Sequence, residues 1–225
     1  MTATEDKNAR FWDKIAAKYA EDPIADEASY KIKLDITREY LTSDMNVLEI
    51  GCGTGSTAIL HAPFVKHIHA TDISKNMIEI GRARAKDAGV ENISFEAVSA
   101  EDLTGETGSY DAVLGLNFLH LVEDRQVVLE KILTLLKPGG VFISGTACIG
   151  DFMPIFRLII PLGRAIGKFP LVKVFNREAI ISEFEHTGFK IVHQWQPKKN
   201  KSLFMVAKAP EAAAAKLAEN EGKLS

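Results

Sequence analysis

A glycine-rich segment followed by an acidic residue is the strongest chemical pattern in the chain. Gly51, Gly53 and Gly55 follow the apolar run at residues 47–50, and Asp72 lies at the end of the next apolar run. A strand that leads into closely spaced glycines lets the backbone approach a ligand, with amide N–H groups converging on it. An acidic side chain at the end of the second strand can bind both hydroxyls of a ribose. The pattern predicts a site for a nucleoside-containing ligand, and a loop that is tight only for packing reasons is the alternative.

The spacing of the glycines and a nearby carboxylate indicate which kind of nucleoside fits. The dinucleotide pattern is G-x-G-x-x-G, whereas this chain has G-x-G-x-G, with Glu49 two residues before the first glycine. A carboxylate at that point would repel a pyrophosphate and would attract an ammonium or a sulfonium. These features favour S-adenosylmethionine over NAD.

The elements that must position this site follow an alternating pattern. Between the strand-like runs lie segments of helical length at residues 56–64, 76–88 and 124–136. This alternation over residues 47–146 predicts a parallel sheet with helices on both faces. The strand-like runs are short, rich in Val, Ile and Phe, and bounded by turn residues, at 47–50, 68–71, 93–98, 111–116 and 141–144.

The two ends of the chain have different patterns. Two further strands, at residues 189–195 and 202–207, are joined by a connector too short for a crossover helix, so the sheet should end in an antiparallel hairpin. We expect an N-terminal helical cap at 1–46, with helices at 8–20 and 26–41, over the carboxyl end of the first strand. The main domain would then span 47–208, followed by an Ala-, Glu- and Lys-rich tail at 209–225.

Composition excludes several other classes of protein. The 225 residues carry 27 Lys and Arg against 30 Asp and Glu, and this balance argues against a nucleic-acid-binding protein. Two cysteines are too few for a disulfide framework or a zinc cluster. His61, His67 and His69 lie close together in sequence but have no evident third and fourth partner, so we expect no metal site. The first twenty residues hold no secretory signal, which predicts a cytoplasmic location.

Five motifs in order resemble those of class I S-adenosylmethionine-dependent methyltransferases. This resemblance covers residues 47–146, extends through the final hairpin, and implies a Rossmann-like, seven-stranded, mostly parallel α/β sheet that binds S-adenosylmethionine. The opening segment at residues 11–19 is similar to small-molecule enzymes, including the branch that methylates ubiquinone and menaquinone precursors. The five motifs are Glu49-Ile-Gly-Cys-Gly-Thr-Gly55, Ala70-Thr-Asp-Ile-Ser74, Ser99-Ala-Glu-Asp-Leu103, Asp111-Ala-Val-Leu-Gly-Leu-Asn117 and Leu136-Lys-Pro-Gly-Gly140.

The resemblance implies a role for each residue that matches a motif. The glycine loop would lie against the methionine and the ribose, Asp72 would bind the ribose hydroxyls, and Asn117 would meet the methionine end through its backbone. Many relatives have Asp where this chain has Ser99, so the contact to the adenine amino group is expected to shift to Glu101. The implied cofactor-binding set is Tyr19, Glu49, Gly51, Cys52, Gly53, Gly55, Asp72, Ile73, Met77, Ala100, Glu101 and Asn117.

Methyl transfer from a sulfonium is an in-line displacement that depends mainly on alignment, and a general base matters only when the acceptor must lose a proton. His120, three residues after Asn117, is the first candidate for that base, and the alternative is a residue packed at the start of a helix. Tyr19 and Tyr30 are further candidates, with packing of the cap as their alternative role. Trp12 and Trp195 are expected to be packing residues, with a place in the acceptor pocket as the alternative for Trp12.

An apolar insert at residues 152–175 departs from a minimal fold of this type. Arg, Lys and Pro residues interrupt it, so it is not a membrane-spanning helix. It is expected to form a lid helix packed on the core, which could cover the acceptor pocket. The alternative is that its basic residues let it lie on a membrane surface. The apolar side chains concerned are Phe152, Met153, Ile155, Phe156, Ile159, Ile160 and Leu162.

The function that the sequence predicts is methyl transfer to a small, apolar acceptor such as a phenol or a quinol. A small thiol is the alternative acceptor. From other classes, an NAD-dependent oxidoreductase and a non-catalytic cofactor-binding module stay open. The sequence does not predict an oligomeric state.

Overall fold

The computed structural model describes residues 3–165 and 169–211. It contains a seven-stranded sheet in the order β3-β2-β1-β4-β5-β7-β6, in which β7 runs antiparallel to both of its neighbours and the other pairs are parallel. The strands are β1 (Asn46–Ile50), β2 (His67–Asp72), β3 (Ile93–Ala97), β4 (Tyr110–Leu116), β5 (Leu136–Thr146), β6 (Lys190–Trp195) and β7 (Leu203–Lys208). The predicted fold class, including the antiparallel C-terminal hairpin, is confirmed.

Seven α-helices surround this sheet in the described part of the chain. They are α1 (Ala3–Glu21), α2 (Glu27–Arg38), α3 (Ser56–His61), α4 (Lys75–Asp87), α5 (Arg125–Leu135), α6 (Phe156–Ala165) and α7 (Arg177–Thr187). Four begin directly after a polar side chain that accepts a backbone N–H of the first turn, at Asp26, Ser74, Asp124 and Asn176. Such caps satisfy amide groups that the helix itself leaves without partners.

The sheet separates two hydrophobic cores. Neighbouring residues of β1 point to opposite faces, so Leu48 packs in one core while Val47 packs in the other. On the first face, Phe142 stacks on Phe184 of α7 with ring centroids 5.3 Å apart. A strand that is buried on both faces needs a nearly continuous apolar sequence, which explains the apolar run at residues 112–116 of β4 and the run in β1 that Glu49 alone interrupts.

The N-terminal cap is held to the sheet by polar contacts. Asp13 of α1 accepts hydrogen bonds from the Ser74 hydroxyl at 2.6 Å and from the Asn76 backbone N–H at 3.1 Å. At the other end of α1, Arg84 of α4 donates to the carbonyl oxygen of Ala20. These contacts fasten α1 to the start and the last turn of α4. The predicted helix at residues 8–20 is therefore present, and it begins five residues earlier, at Ala3, where the first turns of α1 contact Ser99 through Glu5.

The insert at residues 152–175 differs from the expected lid. Of its seven apolar side chains named above, Ile160 alone is buried, and none of them lines the large cavity described below. Leu158 and Leu162 on α6 are 68% and 70% exposed. From the insert, Leu171 lines that cavity, and its backbone N–H donates to Oδ1 of Asn8 in α1. Residues 166–168 of the insert and 212–225 of the predicted tail lie outside the described residues.

No helix in the described ranges, 3–165 and 169–211, has the length and apolar character needed to cross a membrane.

Close packing around Gly55 leaves no room for a side chain at this position. Gly55 precedes α3 with φ of +75°, and a Cβ there would lie 2.9 Å from Cε1 of Phe95 and 3.3 Å from Cα of Gly81. Gly89 has a similar φ of +67°, yet a Cβ there would meet no atom within 4 Å. A side chain at Gly89 would therefore cause backbone strain alone, whereas a side chain at Gly55 would cause backbone strain and steric overlap.

We predict that Gly55→Ala lowers the free energy of unfolding more than Gly89→Ala does. Both variants carry the cost of a left-handed alanine, about 1–2 kcal/mol, and Gly55→Ala adds about 1–3 kcal/mol of overpacking against Phe95. Urea denaturation of both variants measures the difference. Equal losses would contradict the close packing at Gly55.

Candidate functional site

A large cavity lies at the carboxyl ends of β1 and β4, where the order of the strands reverses. Its volume is about 720 Å³, within the range of small-molecule sites. In open α/β sheets this reversal leaves a crevice in which ligands bind. The cavity is lined by twelve of the thirteen residues predicted for the site: Tyr19, Glu49, Gly51, Cys52, Gly53, Asp72, Ile73, Met77, Ala100, Glu101, Asn117 and His120.

Gly55 is the predicted residue that does not line the cavity. Its position against Phe95 and Gly81 places it in the packing between α3 and α4, on the far side of the loop. The expected cofactor contact of Gly55 stays a prediction, and its close packing gives this glycine a structural role. Gly51 and Gly53 do face the cavity, and both have positive φ values of 69° and 54°.

Asp72 connects the end of β2 to the glycine loop. Its Oδ2 accepts the backbone N–H of Gly53 at 2.9 Å, and its Oδ1 accepts that of Ser74 at 2.9 Å. Each carboxylate oxygen has a second lone pair, so the side chain keeps acceptor capacity for a pair of hydroxyl groups. Burial raises the pKa of Asp72, and the two backbone donors oppose that shift.

Glu49 is a buried carboxyl group beneath the same loop. It is 3% exposed, it lines the cavity, and its Oε2 has no hydrogen-bond partner within the described residues. Burial, and secondly the charge of Asp72, raises its pKa to about 8. Two acidic groups at one wall make the cavity attractive to a cation and unfavourable for a pyrophosphate. The groups present therefore fit a nucleoside ligand that carries positive charge.

Asn117 has an unusual backbone at the end of β4. Its φ is +55°, the only positive value among the non-glycine residues that the structure describes. Its N–H donates to the carbonyl oxygen of Gly145 at 2.6 Å. Its carbonyl oxygen and its side chain are therefore the groups available to a ligand.

Tyr19 lies over the glycine loop, since a Cβ at Gly53 would be 3.7 Å from its ring. Trp12 packs edge-on against Tyr19, with ring centroids 6.2 Å apart, and also lines the cavity. Burial, then the charges of Asp72 and Asp22, raises the pKa of Tyr19, so its hydroxyl stays protonated. Tyr30 has a raised pKa for the same first reason and hydrogen-bonds Thr57 at 3.2 Å. Both tyrosines are thus better suited to bind a ligand than to remove a proton from it.

His120 lines the cavity from the turn after β4. Burial lowers its pKa to about 4, so the imidazole is neutral at physiological pH and can accept a proton. Its Nδ1 lies 3.4 Å from the Thr146 hydroxyl, and its backbone carbonyl accepts the N–H of Lys173 at 2.8 Å. These contacts hold the ring at the cavity wall.

Two segments that sequence reasoning did not assign to the site also line the cavity. Lys33 of α2 donates to the Ser202 hydroxyl, and Lys201 pairs with Asp26 at 2.7 Å. Both contacts join the cap to the connector between β6 and β7. Trp195, expected to be a packing residue, lies in the same wall. The Lys-rich connector was visible in the sequence, but no local pattern pairs it with α2.

Both cysteines, and the histidines of β2, have surroundings that suit a structural role. Cys52 and Cys148 are both buried and free, and burial raises the pKa of each thiol. His67 hydrogen-bonds Ser94 at 2.9 Å, and His69 lies 2.9 Å from both Tyr110 and Glu96. Within residues 3–165 and 169–211, no group of three or more His, Cys, Asp and Glu side chains could hold a metal ion.

Comparisons with known proteins agree with this geometry. A family model described as a methyltransferase domain matches residues 41–214. The chain is similar to an uncharacterised methyltransferase, YcgJ, of Bacillus subtilis (strain 168), at 28% identity over 58% of this chain and 51% of that protein. It is also similar to a demethylmenaquinone methyltransferase of Listeria welshimeri, at 30% identity over 68% of this chain and 66% of that protein. The matches thus span from half to about two thirds of these relatives.

The crystal structure of the YcgJ protein from Bacillus subtilis shares the fold. It superimposes with a TM-score of 0.67 at 17% identity, covering 80% of this chain and 99% of the other. At this identity the likeness concerns the fold alone.

We predict that the stability of the ligand-free chain depends on pH through Glu49. Its pKa rises from an ordinary 4.5 to about 8, so between these values the folded chain holds a proton that the unfolded chain releases. Stability should therefore fall as the pH rises through this window. The free energy of unfolding of Glu49→Gln, relative to that of the wild type, should rise by roughly 1 kcal/mol per pH unit from pH 5 to 8, because glutamine does not titrate.

Urea denaturation of both proteins at pH 5, 6.5 and 8 measures this effect. Glu91→Gln, which changes an exposed loop carboxylate, is the matched control, and its difference from the wild type should stay constant. A difference for Glu49→Gln that is flat or shrinks with pH would contradict the buried, isolated carboxyl group.

Proposed function

The chain belongs to the methyltransferase-domain family, and on that premise we propose that it transfers the methyl group of S-adenosylmethionine to a small, apolar molecule such as a phenol or a quinol. The observation that carries the proposal is the carboxyl group of Glu49, buried without a partner for Oε2 beneath the glycine loop. The ammonium or the sulfonium of S-adenosylmethionine would supply the missing positive charge. An NAD pyrophosphate at the same place would meet two acidic side chains.

The remaining walls suit the other parts of this cofactor. Asp72 has acceptor capacity for the two ribose hydroxyls, and Ile73 and Met77 offer apolar surfaces to the adenine. Tyr19 would close over the glycine loop from the cap. Each of these roles depends on a residue that the fold brings to the cavity.

Catalysis would rest chiefly on alignment. S-adenosylmethionine supplies a methyl group that is already activated on a sulfonium, so the protein must hold the acceptor in line with it. His120 is the proposed general base for an acceptor hydroxyl, since it lines the cavity and its imidazole is neutral at physiological pH, with an unprotonated ring nitrogen. The proton on the hydroxyl would pass to that nitrogen as the new oxygen–carbon bond forms and the carbon–sulfur bond breaks, which would leave S-adenosylhomocysteine.

The acceptor is proposed to be an apolar ring because of the walls around the rest of the cavity. Trp12, Tyr30, Leu121, Leu171 and Trp195 present aromatic and aliphatic surfaces. One relative bears the name demethylmenaquinone methyltransferase, which supports a quinol-like acceptor. A small thiol is the alternative acceptor, since it would need only deprotonation before attack.

Peripheral contact with a membrane is a further part of the proposal. Ile155, Leu158, Ile159 and Leu162 recur at helical spacing and are exposed, and residues 152–165 contain basic but no acidic side chains. A helix with this composition can lie in the interface of an anionic lipid surface. Leu171, which follows in the sequence, lines the cavity, so a lipophilic acceptor could enter from that side.

We predict that the protein forms S-adenosylhomocysteine from S-adenosylmethionine when a lipophilic phenol or quinol is present. A panel of phenols, quinols, thiols and amines, read out by mass spectrometry of both products, tests this. The His120→Gln variant should lower kcat by about a hundredfold or more for a phenol, because glutamine cannot take the proton.

Calorimetry with S-adenosylhomocysteine and NAD completes the test. Tight binding of NAD without binding of S-adenosylhomocysteine would favour an oxidoreductase. Binding without turnover of any acceptor would favour a non-catalytic module. Turnover of thiols alone would show that the acceptor is a thiol and that it is neither a phenol nor a quinol.

For the membrane contact, we predict that the wild type cosediments with vesicles containing phosphatidylglycerol and much less with phosphatidylcholine vesicles. Leu158→Asp combined with Leu162→Asp should lower binding at least tenfold, because charges replace the apolar face. Val127→Asp, at another exposed apolar side chain, is the control and should leave binding unchanged. Equal binding by the wild type and the double variant would rule out α6 as the contact.

A further inference from the structure

A buried carboxylate from the N-terminal helix lies in the cavity wall beyond the residues assigned so far. Glu5 of α1 is 6% exposed and lines the cavity. The cofactor contacts expected from the sequence begin at Tyr19 and do not include it. Burying a carboxylate is costly, so a group at this position needs specific partners.

The sheet order indicates which part of the ligand would meet this carboxylate. The inference here rests on the proposed cofactor. In the proposed complex its cationic end would lie at β1 and β4, near Glu49 and Asn117, and its ribose would lie at the end of β2, near Asp72. Because β3 is the next strand outward, the adenine must extend toward the segment that follows β3, between Ile73 and Ala100.

Glu5 is held against that same segment. The hydroxyl of Ser99, two residues after β3, donates to Oε1 of Glu5 at 3.0 Å and accepts the backbone N–H of Asp102 at 3.0 Å. A hydroxyl has one proton, so accepting from Asp102 directs that proton to Glu5. Ser99 is 2% exposed and does not line the cavity, so it supports Glu5 from behind.

The chemistry of the carboxylate matches the edge of the base. An ionised carboxylate only accepts hydrogen bonds, and the 6-amino group of adenine is a donor. Glu101, the residue expected from the sequence to make this contact, receives the backbone N–H of Glu123 at its Oε1, at 3.4 Å. That contact draws its side chain toward the turn that follows β4.

We propose that Glu5 recognises the 6-amino group of the adenine and that Ser99 is its positioning residue. The N-terminal cap would then take part directly in selecting the cofactor, in addition to covering it.

The test compares S-adenosylhomocysteine with its deamino analogue, in which hydrogen replaces the 6-amino group, by calorimetry on the full chain. The wild type should bind the analogue about tenfold more weakly or worse, because a hydrogen bond to a charged acceptor is lost. In Glu5→Ala this ratio of dissociation constants should fall to about 1–3, since the acceptor is gone. Asp6→Ala, which changes the neighbouring exposed acid, should keep the wild-type ratio.

Variants of Ser99 test its role as the positioning residue of Glu5. Ser99→Ala should lower the ratio of the two dissociation constants, and Ser99→Thr, which keeps the hydroxyl, should retain the wild-type ratio. Glu5→Met, which preserves chain length without an acceptor, repeats the test if Glu5→Ala does not fold.

The outcomes distinguish this inference from the proposed function. If S-adenosylhomocysteine binds and the ratio is unchanged in Glu5→Ala and Glu5→Met, Glu5 is not the adenine contact, although the proposed function stands. A ratio that falls in Glu101→Ala in place of the Glu5 variants also overturns the inference. If the wild type binds neither ligand, the proposed function itself is overturned.

Discussion

The hydrogen bonds from the carboxylate of Asp72 to two backbone N–H groups are the interaction on which the site depends. Through Gly53 and Ser74, one side chain connects the loop after β1, the end of β2 and the start of α4. The loop can therefore approach a ligand closely while its position relative to the ribose contact stays constant. Since Asp13 of α1 binds the same Ser74, the cap is aligned on the same point.

This arrangement has an electrostatic consequence. Placing Asp72 near the buried Glu49 raises the pKa of Glu49 above its ordinary value, and burial adds the larger share. The folded chain holds two acidic groups beneath one loop, where a positive ligand would stabilise the ionised form of Glu49. The same constraint that orders the loop thus also favours a cationic ligand over a doubly charged pyrophosphate.

Much of the site could be predicted from short-range patterns. Glycine spacing, strand-like runs and turn residues are local signals, and they predicted the loop, Asp72 and His120, which line the cavity. The close packing of Gly55 could not be predicted in this way, because a glycine required for packing and one required for ligand approach look alike in sequence. The insert was misjudged because an apolar helical stripe has the same sequence whether it faces a pocket or solvent.

The sequence by itself determined the class of fold and the order of the strands along the chain, because these depend on periodicity and turn chemistry within a few residues. The tertiary structure alone decided which distant segments share the cavity wall. Glu5 meets Ser99 across 94 residues, and Lys33 meets Ser202 across 169. Such pairings depend on how the helices pack over the sheet, and a single side chain carries no local signal of a partner that only packing brings near.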